Sequence, residues 1–181
     1  MRLNERAKGI DGTERRCPVC FGVVSLMVVV SVALLAYDGA AKNHGFQIKL
    51  SLRNGHLRSV VFGIAKGAEE GFDQTHDSPA PPPGRETGYT AFVPPGGDLY
   101  LYRDMRPPGD EVEWTFLGKV WEGKPIVVSW SPEALPESHR FVVRRPGAEE
   151  PVDMRKTDHI DLAETERLTI VATAVGEQKV P

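Results

Sequence analysis

The chain has 181 residues, with 22 Lys and Arg against 25 Asp and Glu, a net charge of −3 and two cysteines. That length allows one domain of ordinary size with its own core once a leader is set aside. The mild acidity argues against nucleic acid or an anionic membrane surface as a partner, and the cysteine count excludes a disulfide-stapled scaffold.

Residues 1–20 are basic, with Arg2, Arg6, Lys8, Arg15 and Arg16, and end in Cys17-Pro-Val-Cys20. Two cysteines make half of a zinc knuckle, and no second knuckle or histidine precedes the next segment, so two reduced thiols are expected. Residues 21–37, FGVVSLMVVVSVALLAY, carry no charge. As a helix they span roughly 25 Å against a hydrocarbon core of about 30 Å. In the nine residues that follow, the sole basic side chain is Lys42. Positive charge stays in the cytoplasm, so the N-terminus is expected inside and residues 38–181 outside. The segment reads as an uncleaved signal anchor, giving a single-pass protein of the cytoplasmic membrane. Gly39-Ala40-Ala41 offers the alternative of cleavage after Ala41 and secretion.

Beyond a spacer at 38–45, residues 46–175 read as one extracytoplasmic domain, with 176–181 as a tail. Residues 38–181 hold 17 basic and 22 acidic side chains and no cysteine. Phe46–Leu52 alternates strictly, with Phe46, Ile48, Leu50 and Leu52 on one face. Asn54-Gly55 then predicts a hairpin to a strand over Leu57–Ala65. Lys66–Gly88 reads as a long irregular loop, its Pro79-Ala-Pro-Pro-Pro83 tract forming polyproline II unable to join a ladder internally. Further strands are expected at Tyr89–Val93, Leu99–Arg103, Val112–Leu117, Ile126–Trp130, Arg140–Val143, Val152–Arg155 and Leu168–Thr173. Turn chemistry separates them at Pro94-Pro-Gly-Gly97, Pro107-Pro-Gly109, Glu122-Gly-Lys-Pro125 and Arg145-Pro-Gly147. Eight or nine short strands without a helical stripe give the expected fold: an all-β antiparallel β-sandwich behind one N-terminal transmembrane helix.

Several motifs occur together: Phe62-Gly-Ile-Ala-Lys-Gly-Ala-Glu-Glu-Gly-Phe-Asp73, Asp77-Ser-Pro-Ala-Pro-Pro-Pro83, Tyr102-Arg-Asp-Met-Arg106, Trp114, Val128-Ser-Trp130, Leu135-Pro136 and Val152-Asp-Met-Arg155. The pattern resembles an uncharacterised β-sandwich module that recurs in exported multidomain proteins of bacteria and archaea. The resemblance covers Leu57–Thr173 and implies an architecture and an exported location, with no catalytic residue to carry over. In this sequence the module is expected to stand alone behind one anchor, unlike its multidomain setting.

The chemistry-bearing candidates are few. Asp73, His76 and Asp77 place three oxygen or nitrogen donors within five residues, where Ca²⁺ is the cation such a loop would suit. The competing reading is that the two carboxylates accept backbone N–H groups in tight turns. Asp-Met-Arg occurs at 104–106 and again at 153–155; on a strand its Asp and Arg share a face, which suits an ion pair fixing register or an anion-recognition fork. Trp114 and Trp130 keep core parity. Trp121 lies in a turn, where an indole folded back over the sandwich end would add core area, and an exposed one could stack on a sugar, with Tyr89, Tyr100 and Tyr102 extending the surface. Gly-x-Ser-x-Gly, His-Glu-x-x-His and phosphate-loop patterns are missing, and the five histidines are scattered. The chain therefore reads as a binding module, with no catalytic residue and no cofactor assigned. Protein–protein contact in the cell envelope is the first expectation, and glycan binding through Trp121, Tyr100 and Tyr102 the alternative.

Overall fold

The computed structural model describes residues 45–82, 84 and 87–176. The basic segment, the apolar run 21–37, both cysteines and most of the spacer and tail lie outside the described residues.

The described chain is all-β. Its strands are β1 (Phe46–Arg53), β2 (Ser59–Ile64), β3 (Ser78–Pro79), β4 (Tyr89–Phe92), β5 (Leu101–Arg106), β6 (Glu111–Lys119), β7 (Ile126–Ser129), β8 (His139–Arg144), β9 (Val152–Asp153), β10 (His159–Leu162) and β11 (Glu166–Ala174). One turn of 3₁₀ helix, Pro132–Ala134, sits between β7 and β8. All eleven strands join one sheet, in the order β10-β7-β1-β2-β5-β4-β6-β11-β8-β9, with β3 added against β5.

Alternating sequence sets the buried face. In β1, Ile48 and Leu50 are buried while Gln47, Lys49 and Ser51 face out. The antiparallel register puts Ile48 opposite Phe62 and Leu50 opposite Val60 on β2. In β6, Val112, Trp114 and Phe116 are buried, opposite Ala172, Ile170 and Leu168 of β11. These side chains, with those of β4, β7, β8 and β10, form one core cluster. In a flat sheet β1 and β8 would stand six strand spacings apart, roughly 29 Å. The rings of Phe46 and Phe141 instead lie 5.5 Å apart, edge to face. The sheet is therefore curled until its two halves face each other across that core. A smaller cluster of Tyr89, Ala91 and Leu117, joined by Ala80 and Val93, covers the other side of β4 and β6.

Four sequence expectations need correction. The strands number eleven, two of them only two residues long. Pairing is antiparallel except between β2 and β5, which run parallel with Phe62 opposite Asp104 and Ile64 opposite Arg106. The hairpin at Asn54-Gly55 forms, but as a longer loop: Asn54 takes φ 65°, and the Leu52 amide bonds to the Arg58 carbonyl at 2.8 Å. The proline tract also enters the ladder. Ser78 and Pro79 pair with β5, and the Ala80 N–H, the donor that the flanking prolines lack, bonds to the Tyr100 carbonyl at 2.7 Å.

The two Asp-Met-Arg tripeptides part company. On β5, Asp104 and Arg106 share a face as expected, and Arg106 Nη2 donates to Asp104 Oδ2 at 2.8 Å. Both are buried, Arg106 to 1 % exposure, so the fork serves the interior and no external anion. The second copy forms no such pair. β9 ends at Asp153, whose Oδ1 accepts the Arg155 N–H at 3.0 Å, and the chain turns. Arg155 then donates to the carbonyls of Leu135, Pro136 and His139, tying the β9–β10 turn to the start of β8 and the segment before it.

Candidate functional site

The outer side of β4 and β6 carries a cleft of about 410 Å³ lined by Gly84, Thr87, Tyr89, Tyr100, Leu117, Lys119, Val120, Trp121 and Thr165. That volume lies in the lower part of the range for small-molecule sites, about 300–1,000 Å³. Its floor follows from strand register. Tyr89 stands opposite Lys119 and Ala91 opposite Leu117, so every second residue of both strands lines one surface.

The wall is aromatic. Tyr89 is buried, stacked on His56 with ring centroids 4.3 Å apart, and Tyr100 meets it edge to face at 5.3 Å. The His56 ring is fixed from behind, since its Nδ1 accepts the Thr90 N–H at 3.2 Å. Burial pushes the His56 imidazole below its usual pKa, opposed in part by the Pro81 carbonyl. Burial, and then the neighbouring Tyr100, pushes the Tyr89 phenol above its usual value. His56 and Tyr89 thus form a neutral, rigid backing for Tyr100.

Trp121 closes the rim. It opens a two-residue turn in which Glu122 (φ 49°) and Gly123 (φ 68°) are both left-handed, and the Lys124 N–H returns to the Trp121 carbonyl at 3.0 Å. Left-handed values at both central positions mark a type I′ turn. The turn holds the indole out from the sheet, 43 % exposed, while Tyr100 is 40 % exposed beside it. Next to it in the chain, the Val120 N–H donates to Thr165 Oγ1 at 3.2 Å.

Of the sequence candidates, Trp121 and Tyr100 meet in the cleft with Tyr89. Tyr102 is equally exposed but is not part of the lining. Lys119, Thr165, Leu117 and Thr87 were not foreseen. Lys119 and Leu117 reach the site through strand register, and Thr165 by bonding to the Val120 amide.

Asp73, His76 and Asp77 lie elsewhere, in the loop between β2 and β3. Asp77, 6 % exposed, accepts the Asp73 N–H through Oδ2 at 2.9 Å and the Met105 N–H through Oδ1 at 2.8 Å. Asp73 accepts the Thr75 N–H through Oδ1 at 2.7 Å, and its Oδ2 lies 2.6 Å from His76 Nδ1. The hydrogen bond from His76, and then that from the Thr75 amide, holds the Asp73 carboxyl below its usual pKa. Each carboxylate oxygen already has a partner, and the arrangement fixes the loop to β5. Among the described residues, no group of three or more His, Cys, Asp or Glu side chains is disposed to hold a metal ion.

No protein-family model, no curated protein and no solved structure matches the chain.

Proposed function

We propose that this chain is a membrane-anchored, extracytoplasmic β-sandwich that works by binding rather than catalysis, and that its aromatic cleft docks a glycan. The observation that carries the reading is the concave site in which Trp121, Tyr100 and Tyr89 converge with polar groups at the rim. A sugar ring offers apolar C–H faces for aromatic contact and hydroxyls for the rim, the combination that amphipathic Trp and Tyr side chains suit. The uncharged run at 21–37 and its basic N-terminal flank support placing the cleft outside the cytoplasmic membrane.

Retention of the detergent-solubilised full chain on insoluble polysaccharides tests the reading. Trp121→Ala and Tyr100→Ala are expected to lose at least about tenfold in affinity, as central aromatic anchors do. Tyr102→Ala, outside the lining, should keep it. Undiminished retention by Trp121→Ala removes the glycan reading. Protease added to spheroplasts tests the location, and protection of residues 46–175 from it would refute the topology.

A second reading, contact with an envelope protein, is favoured by the exposed run of Leu99, Tyr100 and Tyr102 leading into β5. Crosslinking in the native envelope that fails with Leu99→Ser and Tyr102→Ala, but survives Trp121→Ala, would support it over the first.

A further inference from the structure

Charge is distributed unevenly in the cleft. Its described lining contains one ionic side chain, Lys119, and no carboxylate, in a domain whose residues 38–181 carry a net −5. Among the described residues, the acidic neighbours are engaged or stand aside. Glu166, adjoining on β11 in register with Gly118, is held by Arg145, which donates to its two oxygens at 2.8 and 3.3 Å. Glu122 and Glu164 flank the lining in sequence but do not belong to it. The ion pairs among the described residues leave Lys119 out.

The neutral polar groups lean the same way. Because Thr165 Oγ1 accepts from the Val120 amide, its own O–H remains to donate. With the three donors of an ammonium beside it, the rim is rich in donors. Such a rim, next to aromatic faces, is complementary to a ring that carries acceptors and negative charge.

Resting on the glycan reading above, we propose that the cleft selects a carboxylated pyranose, a uronate residue of an acidic polysaccharide. The ring face packs on Trp121 and Tyr100, and the carboxylate meets the Lys119 ammonium and the Thr165 hydroxyl. Lys119 and Thr165 are both exposed, so this contact sets selectivity more than total affinity and weakens with salt.

Calorimetric titration of the full chain in detergent with glucuronate, galacturonate and mannuronate oligosaccharides, each beside its carboxyl-reduced counterpart, tests the assignment. One acid series is expected to bind about tenfold more tightly than its reduced form at low salt. That preference should shrink as ionic strength rises and be lost in Lys119→Met. Lys49→Gln, which removes one positive charge from the exposed side of β1, should keep it. Equal affinity for acid and reduced forms, or a preference that survives Lys119→Met, overturns the assignment. If reduced sugars alone bind, and Trp121→Ala abolishes that binding, the glycan reading stands and the uronate assignment falls. If no sugar of either kind binds, both fall.

Discussion

Arg106 Nε stands 2.8 Å from Asp104 Oδ1 and Nη2 stands 2.8 Å from Oδ2, with both side chains shut off from solvent. Burial dominates the balance. It pushes the Asp104 carboxyl up to about 6 from an ordinary 3.8, although Arg106 pulls the other way. The folded state therefore keeps a proton that the unfolded chain releases between those values. Stability from this group is fully present below about pH 4 and is lost as pH rises through about 6. Denaturant unfolding of wild type and Asp104→Asn at a series of pH values should show wild type losing stability relative to the variant as pH rises from 4 to 7. A difference independent of pH would count against it. Arg106→Met alone leaves the Asp104 carboxylate buried without its partner and should cost about 3–5 kcal/mol at neutral pH, and adding Asp104→Leu should recover much of it.

Two glycines separate backbone from side-chain crowding. A Cβ on Gly63 would lie 1.9 Å from the Phe46 carbonyl oxygen, within the β1–β2 ladder, and only a shift of one strand relieves that. A Cβ on Gly118 would meet Leu162 Cδ1 at 2.2 Å, a contact that a rotamer change of Leu162 can ease. Gly118→Ala is expected to cost about 1–3 kcal/mol, the usual range for overpacking, and Gly63→Ala more. Urea midpoints in the reverse order would contradict this.

Asp77 ties the β2–β3 loop to β5 through the Met105 N–H. Asp77→Ala strands two buried-side donors and is expected to cost about 3 kcal/mol, while Asp77→Asn costs less because Oδ1 remains. Amide exchange at Met105 should accelerate in the alanine variant. With all four oxygens of Asp73 and Asp77 engaged, EDTA or added Ca²⁺ should leave the melting temperature unchanged. A rise with Ca²⁺ would restore the cation reading of Asp73, His76 and Asp77.

Glu122 occupies a left-handed position that asparagine and glycine take more readily. Glu122→Asn should therefore stabilise the protein by up to about 1 kcal/mol, visible as a higher melting temperature, without moving Trp121. A lower melting temperature would show that the glutamate side chain contributes something beyond turn geometry.

How much of this could be read from the chain depends on the length of each signal. β1 and β6 alternate over eight and nine residues, and their buried faces follow directly. β10 alternates too, with Ile160 and Leu162 buried, but over four residues that leave little pattern to find. The spacing of Asp104 and Arg106 foretold their pairing but not their burial, because charged residues two apart read as a solvated face until the strands around them are known. Identical letters at 153–155 behave otherwise, since the backbone turns after Asp153. Trp121 was legible as a turn residue, but its exposure was not, since an indole folded back over the sandwich end fits the same turn. Its meeting with Tyr100, Lys119 and Thr165 was not, because the pairing of β4 with β6 and the loop before β11 bring together positions up to 65 residues apart in chain number, from Tyr100 to Thr165.

The place of β11 has a consequence for how the molecule matures. Residues 166–174 slot between β6 and β8, so both of those strands expose open hydrogen-bonding edges until that late segment arrives. A polypeptide made from its N-terminus would wait, unfinished and prone to sticking to its neighbours, for its final piece. Assembly so dominated by distant partners is slow, and a chaperone would have its longest opportunity during that wait.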